Sequence, residues 1–106
     1  MGLDETLLNE IVRRVLSASR PDRIILFGSA ATGGMTKDSD IDLLVVDTAP
    51  RNARDESVKI RRGSGTVGYP VDVIVIATER FEAAKDIIGG IAYPAHKHGR
   101  ILYEAA

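Results

Sequence analysis

Three short apolar runs constrain this chain more than any other feature: Arg23-Ile24-Ile25-Leu26-Phe27, Ile41 to Val46, and Val71 to Ala77. Each is rich in strand-forming residues and too short for a self-burying helix, so each reads as a β-strand. The second is apolar at consecutive positions beyond Asp42, as in a central strand covered on much of both faces. Acids are nonetheless set at the starts of two of these runs. Asp40 and Asp42 flank Ile41, and Asp72 stands between Val71 and Val73.

Around the strands the pattern is helical. Leu3, Leu7, Leu8, Ile11, Val12, Val15 and Leu16 recur at helical spacing between charged residues, which predicts an amphipathic helix. Ser17-Ala18-Ser19-Arg20-Pro21 ends it, because proline disfavours helix in the residue before it. Ala30 to Lys37 reads as a turn plus one helical turn, Pro50 to Arg62 as a polar helix, and Gly63 to Gly68 as a loop. Thr78 is placed to cap a helix starting near Glu79, with Gly89-Gly90 as its breaker. Pro94 to His98 predicts a short helix and Arg100 to Glu104 a last strand. The expected fold is α+β, close to α/β: a mixed sheet of three to five strands flanked by helices, with one domain over residues 1–106.

Composition narrows the function. A chain of 106 residues has room for one core. Apolar residues at 44% and charged residues at 27% are globular usage. Fifteen acids against 14 bases leave a net charge of −1, so recognition of phosphate must be local, and no nucleic-acid partner is indicated, its use as an acceptor being left open. The absence of cysteine excludes disulfides, thiolate catalysis and cysteine-ligated zinc, and agrees with an expected cytoplasmic setting. No stretch has the length of a transmembrane helix, and the start, Met1-Gly2-Leu3-Asp4-Glu5, is acidic, unlike a signal peptide.

The acids carry the chemistry. Residues two apart in a strand share a face, so Asp40 and Asp42 emerge together. If the second and third strands are neighbours, Asp72 joins them. Three carboxylates in an apolar setting repel one another, and burial raises their pKa values. A divalent cation resolves the conflict: carboxylate oxygens suit Mg2+ or Mn2+, and a nucleotide's phosphates complete the shell. Two such ions roughly 3.5–4 Å apart stabilise the attacking and leaving oxygens of an in-line displacement. The plainer alternative makes Asp40 a strand end and Asp72 a turn residue. Gly28-Ser29 follows the first strand. Glycine lets the backbone approach a ligand, and serine offers a hydroxyl and backbone N–H groups to phosphate.

Ten residues, Ala30 to Ser39, separate Gly28-Ser29 from Asp40-Ile41-Asp42. With Leu26-Phe27-Gly28-Ser29, Asp38-Ser39-Asp40-Ile41-Asp42-Leu43-Leu44-Val45, Val71-Asp72-Val73-Ile74 and the ending Gly99-Arg100-Ile101-Leu102-Tyr103-Glu104, this resembles the minimal nucleotidyltransferase branch of the polymerase-beta-type nucleotidyltransferase superfamily. The resemblance implies transfer of a nucleoside monophosphate, AMP from ATP, to an acceptor hydroxyl with loss of pyrophosphate. It implies that Gly28 and Ser29 bind the phosphates, that Asp40, Asp42 and Asp72 hold two Mg2+ ions, and that Asp72 is also the general base. It further implies a small helical HEPN-type protein as partner and acceptor, in a toxin–antitoxin pair; association with a second copy of the chain is left open.

One departure stands out. Many members of that branch carry arginines just after Gly-Ser, where this chain has Ala30 and Thr32, so two charge-assisted phosphate contacts are missing. Lys37, Arg51, Arg54, Lys59, Arg61 and Arg62 are candidate substitutes, or simply a solvated helix face. The departure motivates an alternative, a binding module that silences its partner by docking alone. A third reading, transfer to a small molecule such as an aminoglycoside, is disfavoured because no second domain shapes a drug pocket. His96 and His98, two apart, share no helix face and are expected at the surface. Tyr69, Tyr93 and Tyr103 are expected to pack rather than stack on bases.

Overall fold

The computed structural model describes residues 5–28, 31, 40–48, 58–60, 62 and 71–105. The elements run α1 (Glu5–Ala18), β1 (Arg23–Phe27), β2 (Ile41–Asp47), β3 (Val71–Ala77), α2 (Thr78–Ala84), α3 (Ala92–His98) and β4 (Arg100–Glu104). The four strands form one sheet in the order β3-β2-β1-β4. β1 pairs antiparallel with both β2 and β4, and β2 pairs parallel with β3, so the sheet is mixed as expected.

The apolar runs explain this order. β2 is an interior strand, and Leu43, Leu44, Val45 and Val46 are all buried. Alternation sends its odd positions to one face and its even positions to the other. On the first face Ile41, Leu43 and Val45 pack with Leu8, Ile11 and Val15 of α1 and with Ile60. On the second, Leu44 and Val46 pack with Phe81 of α2 and Ala92 and Ala95 of α3. Burying each large aliphatic side chain contributes about 1.5–3 kcal/mol. The sheet is thus held between helices on both faces.

Two expectations need correction. Thr78 does not cap α2. Ala77 is the N-cap, without a side-chain cap hydrogen bond, and the Thr78 hydroxyl donates to Asp22 Oδ2 at 2.6 Å. Nor does α2 reach Gly89-Gly90. It ends at Ala84, where the Lys85 N–H bonds the Phe81 carbonyl, and a turn leads into α3. α3 begins two residues before Pro94, which lies in its first turn, where a missing N–H costs no helical bond. The expected helix over Pro50 to Arg62 is described only at residues 58–60 and 62, which are helical; Leu3, Gly63 to Gly68 and most of Ala30 to Lys37 lie outside the described residues.

Candidate active site

The strand register decides whether the acids meet. β2 and β3 are adjacent, and Asp42 stands opposite Asp72 across the parallel pair. Phe27, the last residue of β1, stands opposite Asp42 on the other side. The C-terminal end of β1 and the N-terminal ends of β2 and β3 therefore share one end of the sheet. Asp42 alternates with Leu44 and Val46, and Asp72 with Ile74 and Ile76, so both carboxylates lie on the α2/α3 face. Asp40 immediately precedes β2.

The electrostatics follow from that placement. Asp42 is half-buried, whereas Asp40 and Asp72 are exposed. Burial pushes the Asp42 carboxyl above the usual aspartate range, and the neighbouring charges of Asp72 and Asp40 push it further in the same direction. Asp42 thus feels the charges of both other acids and is the innermost of the three. Gly28 turns the chain immediately after β1. Its φ is +72°, a left-handed conformation that glycine adopts without penalty. Its carbonyl accepts a bond of 3.1 Å from the Ala31 N–H. Ser29, Ala30 and Thr32 lie outside the described residues.

The donor set fits a hard divalent cation: oxygen ligands only, one of them disfavoured in its charged form by burial and like charge, and two open to solvent. Among the described residues, however, no group of three or more such side chains is arranged to hold a metal ion as it stands. Adjacent strands lie about 4.8 Å apart, so bringing the exposed Asp72 onto an ion held at Asp42 requires rotation of the Asp72 side chain rather than strand movement.

Other residues stand apart from this end. Arg100 is opposite Leu26 at the same end of the sheet, but it pairs with Glu5 of α1 at 2.5 Å, on the other face. Lys59 and Arg62 are exposed; Lys37, Arg51, Arg54 and Arg61 lie outside the described residues. His96 and His98 are exposed, as expected, and His96 lies 3.8 Å from Asp86 and edge-on to Phe81. Tyr93 is half-buried and Tyr103 packs against the α1-side core; Tyr69 is outside the described residues. No described helix is long and apolar enough to cross a membrane.

A mixed sheet flanked by helices, with a glycine turn after its first strand, is the architecture of a nucleotidyltransferase domain. The chain belongs to the nucleotidyltransferase domain family, which matches it over residues 8–93. No curated protein matches it. Two solved structures share its fold. A crystal structure of a toxin–antitoxin with AMP-PNP is 20% identical with a TM-score of 0.62, over 92% of this chain and 73% of that one. A Sulfolobus solfataricus protein assigned as a nucleotidyltransferase is 24% identical with a TM-score of 0.63, over 93% of this chain and 78% of that one.

Proposed function

We propose that this domain transfers AMP from ATP to a hydroxyl on a partner protein, and that Asp40, Asp42 and Asp72 hold the Mg2+ ions the reaction uses. The observation that carries this reading is the in-register pairing of Asp42 with Asp72 on one face, directly beside the Gly28 turn. Bound there, Mg2+ supplies charge to neutralise the triphosphate and polarise the α-phosphate. Asp42 in β2 and Asp40 just before it bind and orient. Asp72, exposed on the edge strand β3, accepts the proton of the acceptor hydroxyl. The hydroxyl oxygen then bonds to the α-phosphorus, the bond from that phosphorus to the α–β bridging oxygen breaks, and pyrophosphate leaves with the electron pair. Gly28 and Ser29 offer backbone and hydroxyl donors to the departing phosphates.

The acceptor is proposed to lie on a small helical HEPN-type protein. The support is the family membership, together with a structural neighbour that is a toxin–antitoxin solved with AMP-PNP. The test is incubation with ATP, Mg2+ and such a partner, followed by intact-mass spectrometry. A partner heavier by one AMP supports the reading. A partner silenced with no change in mass overturns transfer and supports docking alone, which the replacement of two arginines by Ala30 and Thr32 favours.

A further inference from the structure

Gly28 does more than turn the chain. A Cβ built on it would lie 2.5 Å from Asp42 Oδ2, 3.4 Å from Cγ and 3.7 Å from Cβ. The volume that any other residue would fill at position 28 is thus occupied by the Asp42 carboxylate. The collision is relieved only if the Asp42 carboxylate turns about its own side-chain bonds and leaves that volume. The φ of +72° already disfavours a side chain, and the Gly28 carbonyl is committed to the Ala31 N–H. Asp42 is also held in register, with Phe27 opposite it in β1 and Asp72 opposite it in β3. The other positive-φ glycines contrast with this, since a Cβ at Gly89 or Gly90 would meet nothing within 4 Å.

We propose that Gly28 is a positioning residue for Asp42: its missing side chain is the seat of Oδ2, and it fixes which way that carboxylate faces before any nucleotide arrives. This rests on the reading of Asp42 as a metal ligand and adds to it. A residue with a Cβ at position 28 would turn the Asp42 carboxylate out of its seat and weaken its hold on a divalent cation even without phosphate present.

A double-variant cycle on the full chain tests this. G28A should lower the melting temperature by roughly 5–10 °C, from backbone strain plus the collision with Oδ2. In a D42A background, where the colliding atoms are gone, at least half of that loss should disappear. In a D42N background, where the shape is kept and the charge lost, it should persist. An equal loss from G28A in all three backgrounds overturns the proposal. If G28A alone does not fold, the G28A/D42A protein must, and its failure to fold overturns the proposal as well. Separately, Mn2+ titration without nucleotide, followed by electron paramagnetic resonance, should show G28A binding at least about 10-fold more weakly than the parent. If the parent itself binds no Mn2+, the metal reading of the site fails while the thermal cycle still decides the seat. If the parent binds and G28A binds equally well, the positioning role fails and the metal reading stands.

Discussion

At one end of the sheet the carboxylate of Asp22 receives the hydroxyls of Thr48 and Thr78; at the other, Asp42 stands across from Asp72 with the charge of Asp40 nearby. Both are half-buried aspartates at strand ends. Asp22 closes its end of the molecule. Its N–H bonds the Val46 carbonyl at 2.7 Å, its carbonyl receives the Ala105 N–H at 2.8 Å, and its side chain joins the residue after β2 to the first residue of α2. The two hydroxyl donors hold the Asp22 carboxyl below the ordinary aspartate range. Asp42 is shifted the opposite way, by burial and by like charges. One end satisfies its acid within the fold. The other holds its innermost acid against burial and like charge, as expected where a chain gives up local consistency for function.

The largest break in that comparison comes from neutralising Asp42. Asp42→Asn should reduce AMP transfer by about 1000-fold, more than the 10- to 100-fold typical of losing an outer-shell partner of a metal site. The same change should raise the melting temperature by about 1–3 °C, the scale of relieving one like-charge cross-strand contact. Turnover assays and thermal denaturation on the same preparation check both signs. Loss of activity together with loss of stability would mean that Asp42 is a structural acid like Asp22.

The reverse pattern is expected at the other end. Asp22→Ala removes the acceptor of two hydroxyl bonds, a loss of about 1–2 kcal/mol after allowing for the carboxylate's contact with water. Transfer activity per folded molecule should stay within about twofold of the parent, because Asp42 and Asp72 lie at the opposite end of the sheet. Denaturant unfolding measures the loss, and activity normalised to folded protein checks the independence of the two ends.

How much of each end was legible beforehand differs for a physical reason. Asp40 and Asp42 were visible because strand alternation is local: two acids two apart in an apolar run must share a face. That Asp72 would face Asp42 depended on β2 and β3 pairing parallel, which the long connection between Asp47 and Val71 permits but does not dictate. At the other end the sequence misled. A threonine just ahead of a helix reads as a cap, yet Thr78 donates to an acid 56 residues earlier, and no local pattern encodes that partner. The end of α2 is equally illegible, since the double glycine marks the following turn and not the last helical residue. The role of Gly28 as a seat was hidden for a similar reason: the motif shows a glycine, but only the fold shows whose oxygen fills its empty side.

The smallest effect, and the one that sharpens the comparison most, is the pH dependence of stability at the two ends. Asp22 has a folded pKa below its unfolded value of about 3.9, so its stabilisation is present above that unfolded value and is lost as pH falls through the lower folded one. Asp42 has a folded pKa above its unfolded value. Relative to its charged form it adds stability below the unfolded value, and that is lost as pH rises through the folded one. Asp42→Asn should therefore outdo the parent most at neutral pH, with the advantage fading on acidification. The deficit of Asp22→Asn should instead hold steady down to about pH 4 and shrink only below it. Each difference should stay under about 1 kcal/mol, because both carboxylates keep part of their surface in water. Melting curves of the three proteins from pH 3 to pH 8 give the two difference profiles. Profiles that fade over the same range would mean that both ends hold their aspartates in the same electrostatic state.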